Sequence, residues 1–356
     1  MSGSSRRLLD ALRSPKSIGV DYPHCEALIR CAREADLLGT LAWRIAQQGE
    51  LNAVPPAPRA HLVAARIRGA AQLAATHREV REIGKALERL DMPVILLKGA
   101  AYALAALPPS HGRLFSDIDI LVPKRALADA ESALMLAGFA TTHLHPYDQR
   151  YYRRWMHELP PMQHVTRATL LDVHHTIVPE TSPVRLDAAA LFRAAVPLPR
   201  APGLSILAPA DMVLHSATHL FHNEELAHGL RDLVDIDALL VHFAQDPDFW
   251  RTLTSRALEL DLGRPLYYAL RWASHLLGTF APADVVATVS RHAPSAPAGA
   301  LMDALLGHAL LPERAHARTR WARRALYVRG HWLKMPFPLL AWHLAVKTLR
   351  REEQPA

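Results

Sequence analysis

The chain has 356 residues, of which 50% are hydrophobic, 21% charged and only 2 cysteine, proportions that exclude a collagen, a disulfide scaffold and a wholly disordered chain. That length suits about two domains and a substantial buried core. The formal charge of +7 is uneven: ten bases and three acids fall in the last 46 residues, leaving 31 of each sign over the first 310, so the surplus describes a basic tail and not the body.

From residue 6 to about 50 the apolar positions recur at helical spacing, for example Leu28, Cys31, Ala32 and Ala35, then Leu38, Leu41, Ala42 and Ile45. Cys25 and Cys31 read as reduced core residues of a cytoplasmic protein. The N-terminus lacks the apolar segment of a signal peptide, and no window reaches the ~18 apolar residues of a membrane span. Prolines at 55, 56 and 58 mark a break, after which a long helix is expected over about 59–90. Met92 to Leu97 is a short apolar run between Pro93 and Lys98-Gly99, the pattern of a buried strand, and the alanine-rich stretch after Gly99 predicts a helix closed by Pro108-Pro109. A second strand is expected over 114–122, a helix over 124–137 ended by Gly138, and a third strand over 170–177. From residue 209 helices return, over 210–221, 230–243, and near 250–278, 283–291 and 298–311. The expected fold class is α+β: helical regions (1–90 and 201–310) around a small mixed-sheet core (91–200), followed by a basic aromatic helical tail (311–356).

Chemistry concentrates in Ser116-Asp-Ile-Asp-Ile-Leu-Val. On a strand Asp117 and Asp119 project from one face about 6–7 Å apart, while Ile118, Ile120 and Val122 fill the other. Two carboxylates so placed can hold hard divalent cations, although Asp-x-Asp alone also marks solvated loops and strand ends. Three neighbours strengthen the metal reading. Gly99 permits close backbone approach and unusual φ at a strand-to-helix turn, where free N–H groups with Lys98 can receive an anion; a plain packing turn is the alternative. Asp172 interrupts an apolar strand on the face it shares with His174, where it can complete a three-acid site or simply face water. Arg113 carries the planar fork suited to phosphate, or is a surface arginine.

Lys98-Gly99, Arg113-x-x-Ser-Asp-Ile-Asp-Ile-Leu-Val, Gly138-Phe139 and Leu171-Asp-Val-His-His together resemble an uncharacterised bacterial nucleotidyltransferase family of the DNA polymerase beta-like superfamily, over roughly residues 25–245. The resemblance implies Asp117, Asp119 and Asp172 as catalytic and metal-binding residues, with two Mg²⁺ ions and Asp172 helping to deprotonate the acceptor. It implies a nucleoside triphosphate donor such as ATP, met by Lys98, Gly99, Arg113 and Ser116, and an acceptor that is a protein, tRNA, sugar or small molecule. The superfamily's usual Gly-Ser or Gly-Gly turn is replaced here by Lys98-Gly99-Ala100.

His215, His219 and His222 share a helical face at a spacing that can bind a transition metal, contact substrate or serve core hydrogen bonds. Arg231, Asp232 and Asp235 lie on the polar side of a helix whose core stripe is Leu230, Leu233, Val234 and Leu240. That polar side is either solvated or, as the resemblance suggests, set over the nucleotide. The tail interleaves bases with Trp321, Tyr327, Trp332, Phe337 and Trp342, a pattern compatible with RNA, an anionic membrane surface or an aromatic packing stripe. A non-catalytic binding or regulatory protein recruited through that tail is the alternative function.

Overall fold

A computed structural model of the chain describes residues 1–14, 22–143, 145–222, 226–313 and 316–334. The apolar run 336–349 with Phe337 and Trp342 therefore lies outside the described residues.

The N-terminal region is helical as its periodicity predicts: α1 (Gly3–Arg13), α2 (Tyr22–Glu34), α3 (Leu38–Gln47) and α4 (Pro56–Leu87). The Ser2 hydroxyl caps α1 by accepting from the Ser5 amide at 3.2 Å, and proline at the first turn opens the 32-residue α4. The sheet core follows, with β1 (Val94–Leu97), α5 (Lys98–Leu104), β2 (Asp117–Leu121), α6 (Leu127–Leu136), β3 (Phe139–Thr141), α7 (Pro146–Trp155), β4 (Met162–His164), β5 (Leu170–His174), α8 (Ala188–Ala194), β6 (Val196–Pro197) and β7 (Leu204–Ile206). The strands form one mixed sheet in the order β3-β4-β5-β2-β1-β7-β6. β1 pairs antiparallel with β2 and parallel with β7, while β2 runs parallel to β5. All four residues of β1 are buried, as a central strand covered on both faces requires. β7 carries the sheet just beyond residue 200.

Helices complete the described chain: α9 (Pro209–His222), α10 (Gly229–Phe243), α11 (Phe249–Glu259), α12 (Gly263–Leu277), α13 (Ala283–Ser290), α14 (Ala296–Ala309) and α15 (Ala317–Lys334). The expected helical stretch near 250–278 is divided into α11 and α12 by Asp261, whose φ of 56° no helix continues through. α9 is buried along nearly its whole length against α10, α11 and α12. The buried apolar side chains form one cluster running from Leu8 to Leu326, so the helical regions on either side of the sheet share a core. Glu313, just after α14, ties this part of the chain to the start of α1, accepting from the Ser2 amide at 2.5 Å and the Ser5 hydroxyl at 2.9 Å. Cys25 and Cys31 are buried and form no disulfide, and no described helix is long and apolar enough to cross a membrane.

Candidate active site

The turn from β1 into α5 sets the floor of the site. The unusual backbone conformation expected at Gly99 falls instead on Lys98, with φ 42°. Gly99 is required for a different reason: a Cβ there would meet the Phe115 ring at 2.5 Å. Its missing side chain lets the segment entering β2 lie against α5. The N-terminal helices hold that segment from the other side. Gly112, at φ 74°, lies so close to Gly39 of α3 that a Cβ on either would run into the other's backbone. Gln72 of α4 donates to the Phe115 carbonyl at 2.7 Å, and Trp43 stacks on His111 with ring centroids 4.2 Å apart.

On the sheet the register pairs Asp119 with Leu97 on one side and with Asp172 on the other. Strand alternation puts Asp117 on the same face, so the structure brings the three predicted aspartates to one face of two adjacent strands. Their oxygens are not all within 4.8 Å of one another. Lys98 Nζ donates to Asp119 Oδ1 at 3.0 Å, and His174 Nε2 lies 3.0 Å from the same oxygen. Asp117 accepts from the Ser116 hydroxyl at 2.9 Å.

These neighbours drive the acids apart electrostatically. Burial opposes the charge on Asp119, but Lys98 and His174 outweigh it and hold the carboxyl far below its usual range. Burial, then the charges of Asp119 and Glu158, raise Asp172 to about 7. Lys98 is held cationic: burial works against it, and Asp119 and Asp117 more than reverse that.

A cavity of about 220 Å³ opens beside Asp117 and Asp119, walled by Lys98, Tyr102, Phe115, His219 and α10. Arg113 lines it with a side chain only 10% exposed, ion-paired with Asp235 and 3.9 Å from Asp232. It is therefore an interior residue and not a surface arginine, and its Nε is buried without a hydrogen-bond partner. Asp232 and Asp235 face this cavity and not solvent. Arg231, 2.9 Å from Asp232, adds a second guanidinium to the wall.

The three histidines of α9 part company. His219 lines the cavity, where burial and then Lys98 push it down to about 3, and His222 lies 3.1 Å from the Ser182 hydroxyl. His215 is buried. They do not converge as metal ligands; among the described residues, three such groups close enough to share an ion are His157, Glu158 and His174. In the sequence His174 stands out as a residue on Asp172's face and as part of Leu171-Asp-Val-His-His, though not as a metal ligand. His157 and Glu158 precede no strand pattern and gave no signal.

The family described as "Uncharacterised nucleotidyltransferase" matches residues 23–278. The chain belongs to this family. The matched span includes the sheet, the cavity and helices α2 to α12, and membership implies a general role in nucleotidyl transfer. No curated protein and no solved structure matches the chain. For a nucleotidyltransferase, the arrangement offers carboxylates, cations and a cavity within one small volume, which is what chemistry on a charged phosphate chain requires.

Proposed function

We propose that this nucleotidyltransferase moves a nucleoside monophosphate from a nucleoside triphosphate, such as ATP, to an acceptor hydroxyl in a Mg²⁺-dependent reaction that releases pyrophosphate. The observation that carries the reading is the in-register pairing of Asp119 and Asp172, with Asp117 on the same face at the mouth of a cation-lined cavity. The residues fit divalent ions. Lys98 Nζ already stands as a cation on Asp119, and Asp172 is crowded by acids whose repulsion a bound cation relieves. Asp117, Asp119 and Asp172 would hold Mg²⁺, two ions by likeness to the superfamily, which supplies charge neutralisation along the donor triphosphate.

The remaining work belongs to the chain itself. Lys98, Arg113 and Arg231 line the cavity wall and bind phosphate oxygens; Ser116 and Gly99 complete the rim. The cavity is smaller than the roughly 300–1,000 Å³ of sites that enclose a drug-sized ligand, so it takes the phosphates and leaves the nucleoside toward the opening. As the acceptor oxygen bonds to the α-phosphorus and the bond to the β-phosphate oxygen breaks, the hydroxyl proton passes to the Asp172 carboxylate. Purified protein incubated with labelled nucleotides, Mg²⁺ and cell extract is expected to label an acceptor. Equal labelling by wild type and by the Asp117→Ala/Asp119→Ala variant would overturn the reading.

Recruitment through the tail is a second reading, favoured by α15, where Trp321 and Trp332 are each 69% exposed among arginines. Salt-sensitive association with RNA or anionic vesicles, lost in Trp321→Ser/Trp332→Ser, supports it; unchanged association in that variant removes it.

A further inference from the structure

His174 closes β5, and the chain running beside it carries His157 and Glu158. Glu158 forms an isolated antiparallel bridge with His174. The Leu159 amide donates to the Val173 carbonyl at 2.8 Å and the His175 amide to the His157 carbonyl at 2.9 Å, so the pairing is fixed by backbone on both sides. The two imidazoles lie with ring centroids 5.2 Å apart. One ligand atom from each of the three residues falls within 4.8 Å of the other two. His157 and His174 are 7% and 4% exposed, with Glu158 at the more open edge.

Hydrogen bonding accounts for only one side of His174. Its Nε2 faces the Asp119 carboxylate, an acceptor, so that nitrogen carries the hydrogen. Its Nδ1 lies 3.3 Å from Glu158 Oε2, a contact that needs a cation between the two atoms, either a proton, which Asp119 and Glu158 favour on this ring against burial, or a metal ion. That Nδ1 is buried without a hydrogen-bond partner. Unpaired buried nitrogens beside a carboxylate are destabilising unless something positive lies between them.

We propose that His157, Glu158 and His174 bind one divalent transition-metal ion of the Zn²⁺ class, with His174 ligating through Nδ1. Two imidazoles and a carboxylate form a donor set suited to Zn²⁺, whereas Mg²⁺ prefers the all-oxygen aspartate face. Tetrahedral bonds of about 2.0–2.1 Å place ligand atoms about 3.4 Å apart. His174 Nδ1 and Glu158 Oε2 already meet that spacing at 3.3 Å, and His157 Nε2 lies 4.0 Å from the same oxygen. The charges facing the site are Glu158 and Asp119 on one hand and Lys98 and Lys334 on the other, Lys98 being paired with Asp119. A carboxylate, an imidazole and a metal in line is the usual way an outer group orients a ligating histidine. Here the ion would fix the His174 ring and, through its Nε2–H, the Asp119 carboxylate, making His157 and Glu158 positioning residues.

The inference does not depend on the transfer reaction, and its test reads metal binding. Full-length protein stripped with a chelator is titrated with Zn²⁺ by calorimetry and with Co²⁺ by visible absorption. One ion per chain is expected, with Co²⁺ ligand-field bands, a thermal midpoint raised by Zn²⁺, and retention in excess Mg²⁺. Glu158→Gln and His157→Ala are each expected to weaken binding at least about tenfold, whereas Asp117→Asn leaves it within about twofold. Glu158→Gln keeps the side chain's size at the open edge, so it reports on the site even if His157→Ala fails to fold. Wild type that binds no stoichiometric Zn²⁺, or a folded Glu158→Gln that binds as wild type, overturns the proposal.

Discussion

Asp119 and Asp172 are neighbours in register, yet Lys98 and His174 hold the first ionised while the second titrates near neutrality. Two outcomes follow at the level of single side chains. Because Asp172 is raised from 3.8 to about 7, the folded chain keeps a proton that the unfolded chain gives up between those values. Folding is therefore penalised progressively as pH rises through that window, and the penalty is absent below it. Asp172→Asn, which cannot ionise, is expected to raise the melting temperature of Mg²⁺-free protein at pH 8 and to lose that advantage toward pH 4. Thermal melts across pH check this; an advantage independent of pH contradicts it. Lys98→Met removes the cation from a pair whose side chains are only 18% and 4% exposed, leaving Asp119 with His174 alone. A loss of about 3 kcal/mol is expected in denaturant unfolding without metal. Mg²⁺ is expected to stabilise this variant more than wild type, since the ion takes the place the ammonium held.

At the scale of elements, the acids depend on packing that they do not themselves make. Gly99→Ala would press a methyl group into the Phe115 ring, a contact at 2.5 Å that forces the segment before β2 outward. About 1–3 kcal/mol of destabilisation is expected, together with lost transfer activity, and Phe115→Leu in the same chain should restore part of both. Unfolding and activity measured on the single and double variants decide the matter. The same scale explains what was legible in sequence. β1 announces itself as an apolar run closed by Lys98-Gly99, and β2 and β5 as apolar runs interrupted by Asp117, Asp119 and Asp172. β3, β4, β6 and β7, at two or three residues each, are too short for alternation to register. The turn imposes the positive φ on Lys98, whereas sequence pattern points to the glycine beside it. His157 and Glu158 reach the site only through long-range pairing with β5, which no local pattern encodes.

For the whole molecule, the helices that flank the sheet do more than enclose it. α3 and α4 grip residues 111–115, α10 supplies Arg231, Asp232 and Asp235, and Glu313 fastens the end of α14's connection to the start of α1. Residues far from the acids should therefore alter activity through the cavity's shape. Arg256 and Asp211 bridge α11 and α9 at 2.7 and 2.8 Å, with Asp211 wholly buried. Arg256→Ala is expected to cost about 3–5 kcal/mol in denaturant unfolding, as removal of one partner strands a buried carboxylate; a change below 1 kcal/mol contradicts that role. The helix periods and the placement of the formal charge were readable from the chain, since both are local properties. The meeting of Arg113 with Asp232 and Asp235 was not, because it joins segments more than a hundred residues apart. Position-specific labelling of the donor reads which phosphoryl group reaches the acceptor. Protein, Mg²⁺ and acceptor-containing extract are incubated in parallel with nucleoside triphosphate labelled at the α- or the γ-phosphate. α-Label on the acceptor, γ-label in pyrophosphate, and neither transfer in Asp119→Asn are expected; γ-label on the acceptor, or α-label transferred equally by that variant, would contradict nucleotidyl transfer at these aspartates.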